Sequence, residues 1–215
     1  MSDLETVKTV LCYGDSNTFG SNPSADPLRH PRSVRWTGRL QALLGAEYDV
    51  IEEGLGGRTG VWPDPLQPGR NGLEYLPVSL QSHKPLDLVI LSLGTNDCKS
   101  YFHAAPATIA RGMRLLIETI QRTDYGPGIS APKILLVSPI RMGDVEHSRF
   151  ESFDRESARR VEQLAPLYQT VAGEYGCAFF DAASVAGPGE DQLHMGADGH
   201  RALAEALAPL VKQLV

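Results

Sequence analysis

Five short apolar runs alternate along the chain with longer stretches in which apolar residues recur every three or four positions. The first pattern suits a buried strand, the second a helix with one face on a core. The runs predict strands near residues 8 to 13, 48 to 52, 87 to 93, 133 to 138 and 177 to 181. The periodic stretches predict helices near 34 to 44, 72 to 82, 105 to 122, 152 to 175 and 197 to 214. Runs such as Val10-Leu11-Cys12-Tyr13 lack strict apolar-polar alternation, as strands covered on both faces do. Strand and helix in alternation give an α/β fold, read here as a flavodoxin-like three-layer α/β/α sandwich around a five-stranded parallel sheet of order 2-1-3-4-5. Proline- and glycine-rich stretches at 20 to 33, 60 to 70, 125 to 132 and 139 to 148 are loops, and the first two are placed to wall a pocket. No repeat or interdomain linker breaks the pattern, so residues 1 to 215 are read as a single domain.

Composition narrows the partners. Lys and Arg number 20 against 26 for Asp and Glu, a formal net charge of -6 that argues against nucleic acid as a main partner. No apolar run approaches the ~20 residues that span a bilayer, so no membrane span is expected. The segment Met1-Ser2-Asp3-Leu4-Glu5-Thr6-Val7 is acidic and has neither the basic region nor the apolar core of a secretion signal, so the expected address is cytoplasmic. Cys12, Cys98 and Cys177 are odd in number and make no Cys-x-x-Cys spacing, so they read as reduced thiols.

Candidate chemistry gathers where predicted strands end. Gly14-Asp15-Ser16-Asn17 follows the first apolar run and puts a hydroxyl at the carboxyl end of a strand, the edge where such sheets bind ligands. Taken alone, the tetrapeptide is equally an ordinary turn or helix cap. Near the far end of the chain, Asp191-Gln192-Leu193-His194 sets an acid three residues before a histidine, so one short segment can present an imidazole and hold its second nitrogen. A serine hydroxyl needs such a base to attack at neutral pH. Two further strand ends, Gly54-Leu55-Gly56-Gly57-Arg58-Thr59 and Gly94-Thr95-Asn96-Asp97, can offer an oxyanion the backbone N–H near Gly57 and the side-chain amide of Asn96. Strand order 2-1-3-4-5 sets Ser16 and Asn96 beside the topological switch point.

Other residues are weaker candidates. Asp15, Arg58, Trp62 and Tyr101 are taken as substrate-contacting, with the aromatics as an acyl or aryl wall and Arg58 as an anion partner; core packing and a surface ion pair are the competing readings. His83, His103, His147 and His200 are alternative bases, but only His194 has an acid at the favourable spacing, and His30 carries no evident role. A nucleotide- or flavin-binding module on the same fold is a second reading, although neither phosphate-loop glycine motif is present. A third is a metal hydrolase using Asp15, Asp97, Asp191 and His194, which lack a compact ligand spacing. The serine reading uses all four blocks and requires no cofactor or metal.

In these four blocks the chain resembles the SGNH hydrolases, the GDSL-type esterases and lipases. That resemblance implies Ser16 as nucleophile and first oxyanion donor, Gly57 and Asn96 as the second and third donors, His194 as base and Asp191 as its orienting acid. It implies a small-molecule substrate, a short-chain or aryl carboxylic ester, with an acetylated carbohydrate or a thioester as the alternatives. Arg35-Trp36-Thr37-Gly38, Asn71-Gly72-Leu73-Glu74-Tyr75-Leu76-Pro77 and Lys99-Ser100-Tyr101-Phe102 resemble the bacterial arylesterase and acyltransferase subgroup, which adds transfer to alcohols as a side activity and leaves a homo-oligomer open. The chain departs from that subgroup in three places. Asn17 stands where leucine is common, Gly56-Gly57 replaces a serine and an alanine, and the segment from Ile140 to Arg155 is more charged than an apolar lid.

Overall fold

The computed structural model describes residues 7 to 215; Met1 to Thr6, on which the expected address rests, lie outside the described residues. Five parallel strands, β1 (Lys8–Gly14), β2 (Tyr48–Gly54), β3 (Leu88–Ser92), β4 (Lys133–Ser138) and β5 (Ala178–Asp181), form one sheet in the order β2-β1-β3-β4-β5. β1 pairs in register with both neighbours, Val10 opposite Val50 on one side and Leu88 on the other. Its side chains divide between the faces with the period of two that a pleated strand imposes. Val10 and Cys12 join a core with Trp36, Leu40 and Leu207, whereas Leu11 and Tyr13 join one with Leu80, Met113 and Tyr168.

The first of these cores lies under α2 (Trp36–Leu44) and α7 (Ala197–Leu214), the second under α3 (Gly72–His83), α4 (Pro106–Arg122) and α6 (Leu164–Tyr175), giving the three layers. In α4 the proline sits in the first turn, where its missing N–H costs no hydrogen bond, and Ile109, Met113, Leu116, Ile117 and Ile120 make one apolar stripe. The expected helix over 152 to 175 is two: α5 (Arg155–Glu162) and α6 are separated at Gln163. The apolar-polar periodicity continues across the break, which is why the pattern alone runs them together. α5 begins with a reciprocal capping box between Asp154 and Ser157. Among the described residues, no helix is long and apolar enough to cross a membrane.

One polar cluster fixes α2 to the sheet. Glu52 on β2 accepts hydrogen bonds from Arg35 through both carboxylate oxygens, from Arg32 and from the Thr37 hydroxyl. Burial would raise the Glu52 pKa, but these donors outweigh it and the net shift is downward.

β1 ends against a crowded turn. A Cβ on Gly14 would lie 2.0 Å from Thr18 Oγ1 and 2.8 Å from the Ser92 carbonyl oxygen. Gly14→Ala is therefore expected to destabilise the fold by about 1–3 kcal/mol, as overpacking of a filled site does. Urea unfolding measures it; an unchanged midpoint would show that the turn has slack.

Candidate active site

The turn after β1 presents Ser16. Asp15 caps the single-turn helix α1 (Ser16–Phe19), its carboxylate accepting the Asn17 N–H at 2.9 Å. Ser16 is the first helical residue, so its own N–H has no partner within the helix. Burial pushes the Asp15 carboxyl above its ordinary range, and the Asn17 hydrogen bond offsets only part of that.

Ser16 opens onto a cavity of about 490 Å³ that Gly57, Asn96 and His194 also line. His194 arrives on the loop before α7. Asp191 Oδ2 lies 2.6 Å from His194 Nδ1, and Asp191 Oδ1 accepts the backbone N–H groups of Leu193 and His194 at 3.0 and 2.8 Å. Burial would raise the Asp191 pKa, but the side-chain and backbone hydrogen bonds from His194 overcome it and hold the carboxyl below its usual range. An ionised Asp191 assigns the proton of the neutral ring to Nδ1 and leaves Nε2 as the basic nitrogen. The ring of Phe150 stands edge-on to the imidazole, with centroids 5.4 Å apart.

Gly57 and Asn96 approach from the ends of β2 and β3. Gly57 has φ +78, a left-handed conformation that glycine adopts without strain. The space a side chain would fill there is taken by Gln67, whose Oε1 lies 2.3 Å from an ideal Cβ position. Asn96 donates one amide hydrogen to the Arg58 carbonyl at 3.1 Å, and the same nitrogen carries a second N–H.

The remaining expected substrate contacts are placed elsewhere. Asp15 is buried as a helix cap and does not line the cavity. Arg58 lies over the Tyr13 ring and donates to the carbonyls of Gly14 and Glu53, knitting the ends of β1 and β2 together. Trp62 packs on the core beside Phe102. Tyr101 donates to Asp64, and none of these side chains lines the cavity. The alternative histidines lie outside the cavity too. His83 pairs with Glu53 and His147 with Asp144, and burial drives the His200 pKa down to about 3. Of the carboxylates that a metal site would use, Asp97 accepts the Gly60 N–H while Asp15 and Asp191 hold their own donors.

Several residues of the cavity escape sequence reading. Lys99 forms a buried ion pair with Asp64 at 2.7 Å, and the same Asp64 carboxylate accepts the N–H groups of Leu66 and Gln67, shaping the loop that carries Gln67 and Arg70 to the cavity. Arg149 and Phe150 reach it from the charged segment after β4. No local spacing announces these contacts.

Asn17 gives one departure from the resembled subgroup a structural reason. Its Oδ1 accepts the Met195 N–H at 2.9 Å and its Nδ2 donates to the Leu193 carbonyl at 3.5 Å, so a single buried amide grips both neighbours of His194. It ties the Ser16 turn to a loop 176 residues away. Asn17→Leu, which puts an apolar side chain against these backbone groups, is expected to cost about 1–3 kcal/mol in stability and to lower turnover, because it leaves a buried donor unpaired. Thermal unfolding with steady-state kinetics checks both; retention of both would deny the amide any part in registering the two segments.

Residues 12–202 match the model of the GDSL-like lipase/acylhydrolase family. No curated protein matches the chain. Among solved structures, the native aryl esterase of M. smegmatis is 42% identical with a TM-score of 0.92, over 97% of this chain and 100% of that one. A carbohydrate acetylesterase from Sinorhizobium meliloti is 40% identical with the same TM-score and the same coverage of both chains. A lipolytic G-D-S-L family member from Veillonella parvula, 13% identical over 96% of this chain and 100% of its own, shares the fold at a TM-score of 0.69. With a strand-end serine, an Asp-His pair and a shared cavity on this sheet, the chain belongs to the GDSL-like lipase/acylhydrolase family and is a carboxylic ester hydrolase.

Proposed function

We propose that Ser16, His194 and Asp191 carry out the ester hydrolysis through an acyl-enzyme, with the backbone N–H groups of Ser16 and Gly57 and the Asn96 amide receiving the oxyanion. The observation that carries this reading is the convergence of Ser16, Gly57, Asn96 and His194 on one cavity while Asp191 holds the far side of the imidazole. As Ser16 Oγ bonds to the ester carbon, His194 Nε2 takes its proton and later gives it to the departing alcohol. Water, deprotonated by the same nitrogen, then releases the acid and restores Ser16. The proton transfer requires the serine and imidazole to close into line once substrate is bound, as catalytic hydrogen bonds commonly do. Asp191, saturated with donors, stays ionised and steadies the imidazolium.

Ser16→Ala is expected to fold normally and lose nearly all esterase activity, and an organophosphonate should label the wild-type protein once, at Ser16. Mass spectrometry of the labelled peptide and urea unfolding check both. Label on another residue, or near-normal turnover by the alanine variant, would reject the assignment.

The cavity supports esters of small acyl groups. Its wall mixes Leu28, Phe150 and Leu193 with Asn22, Gln67 and Arg70, leaving apolar surface for a short chain or an aryl ring and polar groups for a hydroxylated alcohol. The aryl esterase and carbohydrate acetylesterase among the similar structures support the same range. An alcohol held in place of water would give transfer as a side activity. A cytoplasmic address belongs to the same reading, supported by free Cys12, Cys98 and Cys177. Specificity constants for p-nitrophenyl esters are expected to fall as the acyl chain lengthens from acetyl to octanoyl. A maximum at the long end would reject the short-acyl reading. Adding a primary alcohol should give more transfer product than the alcohol-to-water ratio predicts; equality would leave hydrolysis alone.

A further inference from the structure

We propose that Arg149 is a positioning residue of this esterase, which holds the Asp191–His194 pair from the loop after β4 and competes for the carboxylate oxygen that binds the imidazole. The proposal rests on the catalytic reading above. Arg149 Nη2 lies 3.3 Å from Asp191 Oδ2, the same oxygen that meets His194 Nδ1 at 2.6 Å. The guanidinium also donates to the Pro23 carbonyl at 3.4 Å and stands over the Phe150 ring, its carbon 5.1 Å from the centroid. Phe150 in turn meets His194 edge-on. Two consecutive residues therefore touch the two members of the acid-base pair, Arg149 through charge and Phe150 through its ring.

The loop that carries them is fastened at both sides of the cavity. Gly143 N–H donates to the Gln192 carbonyl at 2.8 Å and Asp144 N–H to Gln192 Oε1 at 3.1 Å, which binds the loop to the residue after Asp191. At its far end the Ser152 carbonyl accepts the Ser100 N–H at 2.8 Å, next to Lys99. Between these anchors Val145 is buried in the core. The loop thus spans from the acid-base segment to the Asn96 side of the site, with Arg149 and Phe150 over the middle.

The direction of the effect follows from charge. His194 gains a proton during the reaction, and the imidazolium is stabilised by the negative charge on Asp191. A cation on the same oxygen draws on that charge and also repels the imidazolium, so it favours the neutral ring. Other ionisable groups face the pair: Asp15 beneath it, Lys99, Arg70 and Glu151 on the cavity wall, and His200 on α7. Of the described cations, Arg149 is the one paired with Asp191. Half of its side chain is exposed, so its influence is screened by salt.

The test is the pH dependence of kcat/KM for p-nitrophenyl acetate in wild type, Arg149→Met and Arg149→Lys. Arg149→Met removes the charge while keeping an unbranched apolar stem. Its acid limb is expected to move to higher pH by about 0.5–1 unit at low salt, and by less at high salt. Arg149→Lys should restore most of the wild-type limb. An NMR titration of the His194 ring should show the same upward displacement in Arg149→Met. A limb and a ring titration that coincide with wild type would overturn the proposal, as would a uniform fall in kcat at every pH, the mark of a merely structural contact. Phosphonate labelling separates the two levels: loss of label at Ser16 in wild type would reject the catalytic reading, whereas intact labelling with an unmoved limb in Arg149→Met would reject only the role of Arg149.

Discussion

The site depends on how β1 stops. Buried between two neighbours, the strand delivers its last residue, Gly14, to a point where three segments converge. Its carbonyl accepts the N–H of Leu55 and the guanidinium of Arg58, both from the turn after β2. A single acceptor therefore sets the position of the Gly57 turn relative to Ser16. The close packing of Gly14 against Thr18 and Ser92 does the same for α1 and β3, leaving the chain one way to turn. The proposed oxyanion hole needs this rigidity, since backbone donors lose their advantage if they must reorganise during the reaction.

Around that point the protein keeps carboxylates in contrasting states. Asp191 is buried but saturated with donors and stays ionised. Asp97, fully buried behind Asn96 in the chain, has one oxygen on the Gly60 N–H and the other without a partner among the described residues; burial pushes its pKa up to about 7. Asp64 lies between Lys99 and Tyr101, whose hydrogen bonds outweigh its burial and lower its pKa. The same side chain serves as an orienting acid, a turn fastener or half of an ion pair, according to how many donors reach it.

The loops divide their labour by anchoring. The segment from Asp64 to Arg70 is held by the buried Lys99–Asp64 pair, the one after β4 by Gln192 and Ser100. Both bring long polar side chains over a cavity whose floor is set by the strand ends. In the proposed reaction the floor carries the chemistry and the walls select the ester. The glycine at position 57 joins the two, since its bare Cα leaves room for Gln67.

Local information in the sequence was enough for the sheet, its order and the four blocks. Apolar runs alternating with helical periodicity dictate a doubly wound sheet, and that topology alone sends Ser16 and Asn96 to the same edge. The Asp191–His194 pair was equally legible, because three residues of one turn make the contact. What tertiary structure alone decided are the contacts between segments far apart in the chain. Arg58 and Tyr101 carry the residue types of ligand-binding groups, yet Arg58 donates to the Gly14 carbonyl and Tyr101 to Asp64 within the fold. Asn17 and Arg149 look like turn and surface residues, yet one grips the backbone around His194 and the other reaches Asp191. The break at Gln163 is hidden for a related reason, since two successive helices can share one apolar period. Periodicity and turn chemistry act over a few residues and are written in the sequence; a side chain's hydrogen-bond partner depends on which distant backbone the fold brings within about 3 Å.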